Sequence, residues 1–280
     1  MVIFKNSEQI KSFLSGTRLN EKTIGFVPTM GALHPGHVSL IKASKEQNDV
    51  TVCSVFVNPS QFNNQEDFDR YPMTIEKDIE VLTASDCDVL FFPSVDQVYP
   101  TGYEKKNYPL GSIETILEGI YRPGHFQGVS EVVDRLLDIV QPQNIYLGQK
   151  DYQQCLVIQK LIEITGRKNK VFLMVEPTMR EPNGLAMSSR NCRLSEEDRQ
   201  KAACINRVLN YMRDNLGQQP LKALKRTAKN DLEAEVFVVD YVEIADARTL
   251  EKVHNYSDKL VALIAASISN VRLIDNMVLN

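Results

Sequence analysis

The sequence has no excess of basic residues: 32 Lys and Arg stand against 36 Asp and Glu, a formal net charge of −4. That removes the general electrostatic footprint expected of a nucleic-acid partner, although a few placed cations can still bind a small anion. Cysteine is sparse. The five (Cys53, Cys87, Cys155, Cys192 and Cys204) are odd in number and form no C-x-x-C. This argues against a disulfide framework or a zinc site and for a reducing compartment, with the thiols serving as small buried hydrophobes. The start lacks a basic segment followed by a long apolar stretch, and the most apolar late stretch, Leu260 to Ser267, is too short to span a bilayer. Cytoplasmic residence is the resulting expectation, with neither membrane nor nucleic acid as partner. Internal repeats, low-complexity tracts and a convincing Ser/His or Cys/His nucleophile set are also missing.

What is present suits a soluble α/β protein of one large domain or two smaller ones: 280 residues, 43% hydrophobic and 24% charged, can build a core unaided. Residues 23–29, 50–57, 88–93, 144–147 and 171–175 read as strands. Between them, residues 37–47, 75–84, 129–140 and 155–164 carry apolar residues at helical spacing. Strands separated by helices predict a mainly parallel sheet with helices on its faces, and ligands beyond the carboxyl ends of the strands. After Glu176-Pro177 the pattern changes. A polar stretch, Arg180 to Arg193, precedes a long helix starting at Ser195, a second helix over 221–232, and strands near 236–245, 260–265 and 271–274. The expected division is therefore a first domain over 1–177 and a smaller α+β domain over 178–280.

Four segments carry chemistry. Pro28-Thr-Met-Gly-Ala-Leu-His34-Pro-Gly-His37 follows the first predicted strand. Gly31 permits a tight turn, and Pro35-Gly36 suits a helix start. His34 and His37 would be neighbours on that helix, beside unpaired N–H groups that favour a phosphate chain. Metal ligation is the weaker alternative, because no third ligand is nearby. Ser54-Val-Phe-Val-Asn58-Pro-Ser-Gln61-Phe62 places two neutral amides at a strand end. They suit the hydroxyls and carboxylate of a small polar acid, or equally a capping turn. In Gly148-Gln149-Lys150-Asp151-Tyr152-Gln153-Gln154, the ammonium can meet a phosphate, Asp151 can cap the helix or face ribose or a metal through water, and Gln154 lies one turn on. Met187-Ser188-Ser189-Arg190 joins two hydroxyls to a guanidinium. Alone, that tetrapeptide reads better as an ordinary loop.

In this order and spacing, with Arg122-Pro-Gly-His-Phe-Gln-Gly-Val129 added, these segments closely resemble the pantothenate synthetase family from about Ile24 to Arg193. The resemblance implies a Rossmann-like first domain, a smaller lid domain, a homodimer and Mg2+-ATP as substrate. It implies that Met30, Gly31, Ala32, Leu33, His34, Pro35, Gly36 and His37 bind ATP, with His37 the proposed proton donor. Gly148, Gln149, Lys150, Asp151, Met179, Met187, Ser188, Ser189 and Arg190 would complete that site. Gln61 and Gln154, with Asn58, would hold pantoate, and Gln61 also β-alanine. His34, His37 and Lys150 are the candidate catalytic groups. Two positions depart from the common pattern: 149 is Gln where many members have Glu, and Pro35 fills a position that is often acidic. The expected reaction is attack of the pantoate carboxylate on ATP to give an acyl-adenylate, then aminolysis by β-alanine. Rival readings are an adenylyltransferase that keeps the nucleotide in its product and a non-catalytic nucleotide-binding regulator.

Overall fold

The structure, a computed structural model, describes residues 1–63, 68–253 and 259–280. Two compact units emerge: residues 1–148 with 157–176, and residues 149–156 with 177–280. The expected division at 177 thus differs at one short stretch, because 149–156, carrying Lys150, groups with the C-terminal residues.

The first unit is built on a six-stranded sheet in the order β1-β4-β3-β2-β5-β6. Its strands are β1 (Val2–Phe4), β2 (Ile24–Thr29), β3 (Val50–Val55), β4 (Val89–Phe91), β5 (Asn144–Gly148) and β6 (Phe172–Glu176), and every pairing is parallel. Among the described residues, the longer helices that accompany them are α1 (Ser7–Leu19), α2 (Pro35–Gln47), α3 (Ile75–Ala84) and α4 (His125–Val140). Another, α5 (Tyr152–Ile164), passes from one unit into the other. The central strands are buried on both faces, as parallel strands under helices must be. Val27, Cys53, Leu90 and Tyr146 share one core cluster with Leu40 and Ile41 of α2 and Leu82 of α3. Their alternate neighbours Phe26 and Val52 are fully buried too, and α4 packs against β2. Burying these side chains stabilises the unit by roughly 1.5–3 kcal/mol each. The strand order turns at β2, whose two neighbours are β3 and β5. Candidate segments follow the carboxyl ends of all three.

Near the N-terminus, two elements lie where no regular structure was expected. β1 has three half-exposed residues that pair with β4, and α1 is capped by Asn6, whose side chain accepts the N–H groups of Glu8 and Gln9. A strand so short leaves almost no alternation to read.

The second unit contains an antiparallel sheet, β7 (Val238–Asp246), β8 (Leu260–Ile268) and β9 (Val271–Val278), in sequential order. Helices α7 (Cys204–Asp214) and α8 (Leu221–Ala234) supply Leu209, Met212, Leu224 and Leu232, which join Ile264 and Leu273 in one core. The single long helix expected from Ser195 is broken. Ser195 Oγ caps α6 (Glu196–Ala202) by accepting the Asp198 N–H, but the N–H of Ala203 turns to Gln200, three residues back, and tightens the chain before α7. No helix among the described residues is long and apolar enough to cross a membrane.

Candidate active site

β2 ends at Thr29 and the chain turns sharply over Met30–Leu33 before α2 begins at Pro35. Gly31 has φ +83°, and a Cβ there would stand 3.0 Å from both Asp78 Oδ2 and Val55 Cγ1. Glycine is the residue that fits. Ala32 also has positive φ, +49°, a conformation costly for a side chain with a Cβ. It is held there by Asp78 of α3, whose carboxylate accepts the N–H of Ala32 at 3.0 Å and of Leu33 at 2.8 Å. Asp78 is 1% exposed, and Thr74 Oγ1 donates a third bond at 3.3 Å. Buried charge is tolerated where donors converge in this way.

His34 is not a helical neighbour of His37, as expected, but the N-cap of α2. Its Nδ1 accepts the Gly36 N–H at 3.1 Å, and His37 Nδ1 accepts the His34 N–H at 3.3 Å. The N–H groups of His37 and Val38 go to the His34 carbonyl. The first-turn donors expected to meet a phosphate are therefore occupied within the chain. In compensation, Nδ1 as acceptor assigns the proton of each neutral ring to Nε2, making each Nε2–H a donor. The two rings lie 4.1 Å apart, centroid to centroid, so both donors belong to one patch.

Beyond β3, Asn58 is 1% exposed, and both polar atoms of its side chain are engaged. Nδ2 donates to Gln61 Oε1 and to the Gly128 carbonyl, 3.2 Å each. Oδ1 accepts from Tyr99 Oη at 3.1 Å, from Ser60 Oγ at 3.1 Å and from Ser60 N at 3.3 Å. Burial pushes the Tyr99 phenol up, keeping it protonated as a donor. Gln61 is oriented by Asn58, while its Nε2, among the described residues, meets the Met30 thioether, 3.0 Å away, a weak acceptor easily exchanged for a stronger one. His125 Nδ1 lies 2.7 Å from the Gln61 carbonyl. Gly128 lets α4 approach this turn closely, since a Cβ there would collide with the Ser60 backbone. The Arg122–Val129 segment, to which the motifs alone give no role, thus braces Gln61 through its His and its second Gly.

Gly148 closes β5, and residues 149–151 form a short 3-10 turn ahead of α5. Lys150, with 19% of its side chain exposed, lies 3.4 Å from Asp151. Gln154 stands half-buried in the first turn of α5. Within the same unit, Met187 N donates to the Met179 carbonyl at 2.9 Å, and a bridge joins Arg180 to Ala186. Ser188 caps a 3-10 turn over Ser189–Arg193, its Oγ accepting the Arg190 N–H at 3.3 Å. Met179, Met187 and the serine–serine–arginine run are therefore one folded segment and not an open loop.

A family model described as Pantoate-beta-alanine ligase matches residues 2–278. The chain belongs to that family. Pantothenate synthetases of Cytophaga hutchinsonii and Aquifex aeolicus are 42% and 43% identical to it, over 100% and 98% of this chain and 99% and 98% of their own. Among solved structures, the pantothenate synthetase of Thermus thermophilus superposes with a TM-score of 0.93 at 38% identity, covering 100% of this chain and 99% of that one. The pantoate–β-alanine ligase of Francisella tularensis, solved with β-γ ATP and β-alanine, gives 0.84 at 39% identity over 99% and 97%.

Against the family pattern, motif reading missed the residues that brace the motifs. Asp78, Tyr99 and His125 each hold a candidate segment from elsewhere in the first unit. Only His125 had a signal, its place in the Arg122–Val129 motif. The cysteines divide differently from expectation: four are buried, but Cys192 is exposed. Burial pushes the thiols of Cys53 and Cys155 up, and that of Cys87 up to about 11, so these stay protonated and are not nucleophiles.

Proposed function

We propose that this ligase condenses pantoate with β-alanine, cleaving ATP to AMP and pyrophosphate through a pantoyl-adenylate. The observation that carries the reading is membership of the pantoate–β-alanine ligase family over residues 2–278. The paired Nε2–H donors of His34 and His37 give it chemical content. A carboxylate does not react with an amine at neutral pH, because its oxygen is a poor leaving group. The pantoate carboxylate attacks the α-phosphorus of ATP, forming a P–O bond and expelling pyrophosphate. The β-alanine amine then attacks the acyl carbon, AMP departs, and the amine proton passes to solvent or to the departing phosphate. No protein nucleophile enters either step.

In this proposal Met30–His37, Gly148–Asp151, Met179 and Met187–Arg190 bind ATP, and the two imidazoles, Lys150 and Arg190 donate to phosphate oxygens as charge builds on them. Magnesium arrives as part of the ATP substrate, shielding its charge through the phosphate oxygens. Gln61 and Gln154 bind pantoate, and Gln61 then receives β-alanine. Asn58, expected to touch pantoate, instead orients Gln61, since its own amide is spent. A cytoplasmic homodimer completes the reading, in keeping with five free cysteines and the family resemblance.

Incubation with Mg-ATP and pantoate, with and without β-alanine, tests the reaction. AMP should accumulate over many turnovers only with β-alanine. ADP would replace the adenylate by an acyl phosphate, and a stable adenylylated product would make the protein an adenylyltransferase. Light scattering at twice the monomer mass is the expected result for assembly.

A further inference from the structure

Asp275 and Asn276 are adjacent on β9 and almost wholly enclosed, 4% and 2% exposed. Neither belongs to a candidate motif. Asn276 Nδ2 donates to the carbonyls of both Gln149 and Lys150, 2.9 Å each, and its Oδ1 accepts from Gln149 Nε2 at 3.2 Å. The Lys150 turn is therefore gripped at two successive peptide groups and one side chain by a single amide. Asp275 faces a different segment. It receives Arg180 in a two-pronged pair, Nη1 to Oδ2 at 2.6 Å and Nη2 to Oδ1 at 3.1 Å, while Oδ1 also accepts the Asn276 N–H at 2.8 Å. Arg180 in turn donates to the Gly184 carbonyl at 3.1 Å, inside the bridge between Arg180 and Ala186 that leads into Met187–Arg190.

Direction of a side chain is set by its backbone. A 3-10 turn is short and has poor internal hydrogen bonds, so by itself it holds a lysine loosely. A strand paired along its whole length is a stiff support, and β9 pairs with β8 from Val271 to Val278. We propose that Asp275 and Asn276 form one positioning device, which fixes the Lys150 turn and the segment before Ser188 to the same strand and so holds the two phosphate-binding cations of this unit in register. The inference rests on the reading that Lys150 and Met187–Arg190 bind ATP. Neither residue touches substrate. Gln149 fits the device: its amide donates to Asn276 Oδ1, which a carboxylate could not do.

The test is pantoate-dependent pyrophosphate release by the full chain, with KM for ATP and for pantoate measured separately and thermal unfolding followed in parallel. Asn276→Ala should lower kcat/KM for ATP about 10–100-fold, the scale of an ångström-sized misplacement, and leave the pantoate KM within about 2-fold. Asn276→Ser, which can serve only one carbonyl, should fall between, and Asp275→Asn should lower kcat/KM for ATP through Arg180. Met277→Ala is the control, because that side chain packs on the same core from the next position. It should lower the melting temperature and leave the rate per folded molecule unchanged. In a Lys150→Ala background the further loss from Asn276→Ala should shrink to less than about 3-fold, since the group being positioned is already gone. Asn276→Ala matching Met277→Ala in both readouts, or multiplying fully with Lys150→Ala, overturns the proposal. If the unaltered chain forms no AMP from ATP, pantoate and β-alanine, it is the reading of the reaction that fails instead.

Discussion

In the first unit a buried carboxylate, Asp78, collects the N–H groups of the Ala32–Leu33 turn; in the second a buried amide, Asn276, collects the carbonyls of the Gln149–Lys150 turn. The two supports are opposite in polarity and equal in effect. Each satisfies backbone groups that would otherwise compete for ligand or water, and each leaves side chains as the chemical face of its turn. In the first turn those are imidazoles whose Nδ1 atoms are already bound to backbone. In the second it is an ammonium. Glycine and left-handed backbone are needed only in the first, where the chain reverses directly from strand to helix. The lesson is that backbone amides at a helix start are not available merely because the helix starts there, so the proposed anion recognition falls to side chains.

Substitutions at the two faces have the largest expected effects. His37→Ala and Lys150→Ala should each slow pantoate-dependent pyrophosphate release about 10²–10³-fold while circular dichroism stays unchanged. A rate within a few-fold of wild type for one of them would remove that side chain from the donors. Removing the support instead of the face separates stability from rate. Asp78→Ala removes the acceptor of two half-buried N–H groups beside a strained Ala32, and urea unfolding should register a loss of about 1–2 kcal/mol, with Asp78→Asn losing less because one acceptor oxygen survives. An unaltered midpoint and slope would show that the turn holds itself. Gln61→Ala and Gln154→Ala should each raise the pantoate KM about tenfold and leave the ATP KM alone. If ATP use suffers equally, the acid pocket lies elsewhere.

The smallest effect contrasts two buried aspartates. Burial raises the pKa of both. For Asp134 in α4, bonds from Lys106, Tyr108 and Arg167 outweigh burial and hold it below the ordinary range. Arg180 does not fully offset the burial of Asp275, which remains above it. The signs follow. Stability from Asp134 is fully present above the unfolded carboxylate value of about 3.9 and is lost as pH falls through its lowered folded value. Asp275 binds its proton more readily folded than unfolded, so its contribution grows as pH falls from neutral toward that same unfolded value. Asp134→Asn should cost about 1–3 kcal/mol at pH 7 and progressively less in acid, as read from urea unfolding at several pH values. A deficit independent of pH would assign the loss to packing.

Sequence alone determined the elements with strong periodicity and picked out the segments proposed to carry the chemistry. Helix α3 was legible to its ends over Ile75–Ala84, and the strand–turn–helix grammar around His34, Gln61 and Lys150 needed only local rules. Apolar spacing and turn residues act over a few positions, so they survive reading in one dimension. The supports did not. Asp78 in the first turn of a helix looks like any acid favoured by the dipole, and becomes a turn anchor only when α3 docks against residues 31–33. Asn276 stands 127 positions from Gln149, and nothing in either neighbourhood marks the pairing. The break at Ala203, the cap formed by His34 and the spent amide of Asn58 were likewise decided in three dimensions. A buried polar group acquires its role from whichever donors and acceptors the completed fold brings within about 3 Å, and that set is written by packing between distant segments.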